Sequence, residues 1–118
     1  MKVIIAGGRD FSDYKKLRTF CDFVLSRHSE IEIVSGTANG ADKLGERYAK
    51  ERGYLIKQFP ADWDTYGIRA GYIRNAQMSE YADALIAFWE QESKGTKHMI
   101  DLAKKARLRI RVKLYNID

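Results

Sequence analysis

The feature that most constrains this chain is an alternation. Short apolar or β-branched runs take turns with longer stretches whose apolar residues recur at helical spacing. Lys2-Val3-Ile4-Ile5-Ala6 is stopped by Gly7-Gly8, and Glu30 to Ser35 by Gly36. Tyr54 to Phe59 is closed by Pro60, Asp83 to Trp89 leads into the polar loop Glu90 to Gly95, and Arg109 to Leu114 comes last. Between these strands, Tyr14, Leu17, Cys21, Val24, Leu25 and His28 share one helical face behind a Ser12-Asp13 N-cap. Ala41, Leu44, Tyr48 and Ala49 mark a second helix that ends at Gly53. A third, with a weak apolar stripe, spans Arg69 to Tyr81, and a fourth spans Thr96 to Ala106. Ala61 to Gly67 reads as loop.

The order βαβαβαβαβ predicts an α/β protein of three layers, a mostly parallel five-stranded sheet with helices on both faces. Right-handed crossovers leave few arrangements. A Rossmann-like order of 3-2-1-4-5 is expected, which puts strands one and four at the switch point, where ligands bind beyond the strand carboxyl ends. On the last strand Ile110, Val112 and Leu114 are expected to face inward. Arg109, Arg111 and Lys113 are expected to point outward as edge charges that oppose edge-to-edge aggregation.

The whole of 1–118 is expected to be a single domain. With 45% hydrophobic and 31% charged residues the chain is ordinary globular material. The one cysteine, Cys21, falls on an apolar stripe and reads as a buried thiol, which suits a reducing compartment. The opening MKVIIAGG is too short an apolar run for a signal peptide or a membrane span, so a cytoplasmic location is expected. The net charge of +5 favours a phosphate-bearing or polyanionic partner. The aromatic content would permit a homo-oligomer. His28 and His98 are isolated, so no metal site is expected, and no cofactor.

Loops that follow parallel strands form the site in such a sheet. Gly7-Gly8-Arg9-Asp10 combines glycines, which let backbone N–H groups approach a phosphate, with a guanidinium. Ser35-Gly36-Thr37-Ala38-Asn39-Gly40-Ala41-Asp42 runs from a strand into a helix N-terminus, a geometry that receives anions. Ser93, Gly95 and Thr96 begin the fourth helix, with Ser93 or Thr96 also suited to capping it, and Arg74 and Asn75 stand together on the third. There is no Walker A spacing and no third glycine of the dinucleotide fingerprint, so a nucleoside triphosphatase is not expected. A Ser-His-Asp hydrolase would need a GxSxG elbow, which is missing.

Six segments in sequence together resemble the YspA, cpYpsA-related branch of the SLOG superfamily. They are Ala6 to Phe11, Val34 to Asp42, Phe59 to Trp63, Gly71 to Asn75, Ala82 to Trp89 and Ser93 to Thr96. The resemblance implies a Rossmann-like sheet and a nucleotide or nucleotide-derived ligand. Gly7, Gly8, Gly36, Thr37 and Gly40 would then offer N–H groups to phosphate, and Arg9 and Arg74 would neutralise it. Ser35, Asn39, Asp42 and Asn75 would orient ribose or base, with Trp63 or Trp89 stacking. The LOG phosphoribohydrolases, more distant relatives, carry a catalytic glutamate after Pro-Gly-Gly-x-Gly-Thr, where this chain has Met99. A thioether cannot do acid/base work. An N-glycosidic hydrolase therefore stands as the alternative, with Asp42, Glu46 or Glu90 as substitute carboxylates. The DNA-processing protein A family, whose members bind single-stranded DNA, has a segment similar to Ser35–Asp42. Together with the basic C-terminal segment it makes single-stranded nucleic acid a third reading.

Overall fold

A computed structural model describes residues 1–116. The elements run β1 (Lys2–Gly7), α1 (Tyr14–Leu25), β2 (Glu32–Ser35), α2 (Ala41–Arg52), β3 (Leu55–Gln58) and α3 (Trp63–Tyr66). After a 3₁₀ turn (Gly67–Arg69) come α4 (Ala70–Tyr81), β4 (Ala84–Trp89), α5 (Lys94–Lys105) and β5 (Arg109–Leu114). All four strand pairings are parallel and the order is β3-β2-β1-β4-β5, as the βα alternation requires.

Alternating strand residues feed two cores. Val3 and Ile5 of β1 and Ile86 and Phe88 of β4 pack under α1 and α2, with Leu17, Cys21 and Tyr48. Ile4, Leu85 and Ala87 face α4 and α5, through Met78, Met99 and Ile100. β1 and β4 are central, so both their faces are covered, and the runs Val3 to Ala6 and Ala84 to Trp89 are apolar at every position. At Gly45 a helix glycine lets α2 lie close on β1, because a Cβ there would sit 2.8 Å from Ile5 Cγ2.

The helix ends follow from their residues. Asp13 caps α1 by accepting from the Lys16 N–H (3.0 Å). Gly53 closes α2 in the left-handed conformation. Ser93 caps α5, its hydroxyl accepting from the Thr96 N–H (3.3 Å).

Four expectations need correction. Helix α1 stops at Leu25, so His28 lies beyond it and is exposed rather than on the apolar face. The second strand starts at Glu32, because Glu30 takes a φ of +55° that no strand accommodates. The segment read as a loop after Pro60 holds α3, nucleated by Asp62 accepting from the Thr65 N–H (3.1 Å). On β5 only Ile110 is drawn into the core. Val112 and Leu114 stay 38% and 51% exposed because the α4/α5 layer reaches only that end of the strand, while Lys113 is half-buried beside Phe20.

Candidate functional site

The loops beyond the carboxyl ends of β1, β2 and β4 meet one another and the start of α4. The first two are locked together at Gly40, whose φ is +77°. A Cβ at Gly40 would lie 2.3 Å from the Gly8 carbonyl oxygen and 2.5 Å from that of Arg9. The Gly8 carbonyl accepts from both the Phe11 and Ala41 N–H groups (3.2 Å each), tying the β1 loop to the first turn of α2.

This meeting point opens into a cleft of about 510 Å³, a usual size for a small-ligand site. Gly7, Arg9, Asp10, Asp42, Arg74, Asn75, Glu90, Ser93, Gly95 and Thr96, all singled out from sequence, line it. A neighbouring pocket of about 380 Å³ adds Gly36, Thr37 and Asn39 and shares Arg9, Trp63 and Arg74 with the cleft. Met78, Met99 and Ala6 contribute apolar wall, and Trp63, Ile68 and Tyr72 form a rim.

Five of the singled-out residues, Gly8, Ser35, Gly40, Glu46 and Trp89, lie outside both openings. Ser35 is fully buried: its hydroxyl donates to Glu46 Oε2 (2.6 Å) and accepts from the Thr37 N–H (3.1 Å). Glu46 takes a second bond from Gln58 Nε2 (3.2 Å), so it braces α2 against β2 and β3. Gly8 is buried, with its N–H given to the Phe88 carbonyl (3.2 Å), and Gly40 forms the junction described above. The N–H groups of Gly8 and Thr37 are thus committed within the protein. Trp89 is also outside the cleft; its indole N–H donates to the Ser93 carbonyl (3.2 Å) and its ring packs on the α4/α5 core.

The electrostatic centre of the cleft is Asp42 with Arg74. Asp42 is 6% exposed and accepts from the Ala38 N–H (3.1 Å). Burial raises its carboxyl to about 6, against the opposing pull of that hydrogen bond and of Arg74. The Arg74 guanidinium donates to the Gly36 carbonyl through Nη1 and to Asn75 Oδ1 through Nε (3.0 Å). Burial lowers its basicity and the Asp42 charge works the other way. Asn75 also donates to His98 Nδ1 (3.2 Å) and reaches the Gly95 carbonyl (3.4 Å), so it holds Arg74 in place from behind. His98, isolated in the sequence, is therefore half-buried support; burial lowers its pKa, and Nδ1 serves as acceptor. Glu90 is committed to its own loop, accepting from the Ser93 N–H (2.5 Å), the Glu92 N–H (3.2 Å) and the Tyr115 hydroxyl (2.9 Å). Burial pushes its pKa up, but those donors outweigh it and leave the carboxyl below its usual range.

Neither His98 nor Tyr115 could be found from local sequence, since each acts through a partner distant in the chain. Among the described residues no cluster of three or more His, Cys, Asp or Glu side chains is arranged to hold a metal ion.

Comparison with known proteins bears on the family and the fold. The pattern of the family described as YspA, cpYpsA-related SLOG matches residues 1–66. The Gene 61 protein of Mycobacterium phage D29 is 31% identical over 112 residues, which is 89% of this chain and 90% of that protein. Among solved structures, DNA processing protein A from Helicobacter pylori superposes with a TM-score of 0.68 at 20% identity, over 95% of this chain. The chain spans 64% of that protein, whose structure was described for its single-stranded DNA binding mode. At this identity the likeness is one of fold.

Proposed function

Because the chain belongs to the YspA, cpYpsA-related SLOG family, we propose that its cleft binds a small molecule derived from a nucleotide. The observation that carries this reading is the convergence of Arg9 and Arg74 on the space shared by the cleft and its neighbouring pocket, with Asp42 beside them. Two guanidinium groups suit a phosphate: Arg9 can grip it through paired N–H donors, and Arg74, whose Nε and Nη1 are engaged by Asn75 and Gly36, offers Nη2 and its charge. With the Gly8 and Thr37 N–H groups already used, the guanidinium groups rather than a glycine cradle would supply most of the grip. Asp42 would accept from a ribose hydroxyl. Trp63, 51% exposed, and Tyr72, 47% exposed, offer rings at the rim on which a base can stack.

Calorimetric titration with a panel of nucleoside mono- and diphosphates and their ribosylated derivatives tests this. At least one member should bind, and Arg74→Ala should weaken it by tenfold or more, about 1.4 kcal/mol. Absence of binding across the panel at millimolar concentration, with no ligand carried through native purification, would discard the proposal.

A second reading rests on Asp42 alone. A carboxyl buried in a cleft and titrating at about 6 is suited to acid/base work near neutrality. Hydrolysis of an N-glycosidic bond in a nucleoside monophosphate would use it, with Glu90 held by its own loop and Met99 in the cleft wall. Base release followed by chromatography should then disappear in Asp42→Ala. If the native protein releases no base from any monophosphate, the hydrolase reading ends and the binding reading remains.

A further inference from the structure

A second surface, on the α1/α2 side of the molecule and lined by none of the cleft residues, carries a different chemistry. Helix α1 does not cover the last strand, so the α1-facing side of β5 is left as the wall of a groove. That wall presents Arg109, Arg111 and Lys113, which follow at every second residue along the strand. Their spacing along the strand is about 7 Å. The facing wall is a stripe of α1, with Lys15, Lys16, Thr19, Phe20 and Phe23 at helical spacing, offset from the stripe that enters the core. The groove has a volume of about 500 Å³ around Lys113, and a second depression of about 210 Å³ continues it to Arg109 and Arg111. Phe23 borders both and is 77% exposed, while Lys113 Nζ lies 5.7 Å from the centre of the Phe20 ring.

Two properties of this groove suit a partner. Five cations line it, and among the described residues none is ion-paired with a carboxylate. The one carboxylate in its lining, Asp13, already caps α1. Cations held at a regular interval on a rigid strand raise a local positive potential that matches an anion of similar repeat lying along them. An exposed phenylalanine ring in their midst adds an apolar plane. A lone carboxylate or a lipid headgroup would satisfy the charges and leave that plane unused, and an acidic peptide is one of the outcomes of the test below. A single strand of nucleic acid satisfies both, its phosphates following the cations and an unpaired base lying on the ring. We propose that the β5/α1 groove is a binding surface for single-stranded nucleic acid, separate from the nucleotide cleft.

The test is fluorescence anisotropy of a labelled oligothymidylate with the full chain across a salt series. The native protein should bind, and log Kd should change linearly with log salt. Arg109→Ser/Arg111→Ser/Lys113→Ser should weaken binding by about tenfold or more and reduce the salt slope by about 2, at roughly 0.7 for each phosphate no longer neutralised. Arg109→Lys/Arg111→Lys should retain binding, which separates lost charge from lost folding, and Phe23→Ala should weaken binding with the salt slope unchanged. Thymidine monophosphate at millimolar concentration should not displace the oligonucleotide. No binding of the oligonucleotide at low salt would overturn the proposal. So would displacement by the mononucleotide, equal affinity for duplex with no effect of Phe23→Ala, or binding to an acidic peptide or anionic vesicles in place of DNA. Failure of the oligonucleotide to bind leaves the cleft reading untouched, whereas displacement by the mononucleotide would move the oligonucleotide to the cleft.

Discussion

Asp42→Asn should stabilise this protein at alkaline pH and not at acid pH. In the folded state the Asp42 carboxyl sits at about 6 because it is buried, against an ordinary value of 3.8. The folded state therefore holds its proton more tightly than the unfolded chain does. Between those two values the native form binds more protons, so this group makes stability fall as pH rises, and its full penalty is present above about 6. The difference corresponds to about 3 kcal/mol. Asparagine keeps a carbonyl-type acceptor for the Ala38 N–H and removes the buried charge. It also removes the anion that faces the buried Arg74 guanidinium, which returns part of the gain. A net stabilisation of roughly 1–3 kcal/mol at pH 8 is expected, shrinking towards zero by pH 4. Urea denaturation followed by circular dichroism at pH 4, 6 and 8, on both proteins, reads it directly as the variant-minus-native difference. Taking that difference removes the pH dependence the two proteins share. A difference that does not change with pH, or a variant less stable at pH 8, would show that Arg74 holds Asp42 ionised and that burial does not dominate. A residue that costs stability where the protein operates is expected where the chain serves a ligand.

Three other outcomes follow from the geometry. Gly40→Ala combines a φ of +77° with a Cβ 2.3 Å from a main-chain oxygen, and should cost roughly 3 kcal/mol or more in chemical denaturation. Gly45→Ala should destabilise by roughly 1–2 kcal/mol although alanine is the better helix former, because its methyl meets Ile5 at 2.8 Å; a stabilised variant would contradict the packing described. Cys21 is fully buried, and burial pushes its thiol far above the usual range, so a thiol reagent should label it only at the rate of unfolding, and rapid labelling under native conditions would place it elsewhere.

Much of the fold was legible in the residues because strand and helix periods are local properties. Val3 to Ala6 and Leu85 to Phe88 are apolar at consecutive positions, which only strands covered on both faces require. The alternation of elements then left the sheet order almost no freedom. Helix α3 was not legible, since its four residues are too few to show a period. The candidate site was legible as a set of loops and less so as chemistry. Glycines and small polar residues after β1 and β2 do face a common space, yet the Ser35 hydroxyl is consumed by Glu46 and the Gly8 N–H by Phe88, neither of them a sequence neighbour.

Periodicity and turn chemistry were thus enough to specify the layers and the strand order. Which polar groups remain available beyond the carboxyl ends of the strands was decided by packing. A donor's freedom depends on the nearest acceptor in space, and that acceptor arrives from another element. The same holds for the charge on Asp42, which its burial under neighbouring loops sets, and for the β5 cations, whose pattern is written in the chain but whose facing aromatic wall exists only because α1 leaves the last strand uncovered.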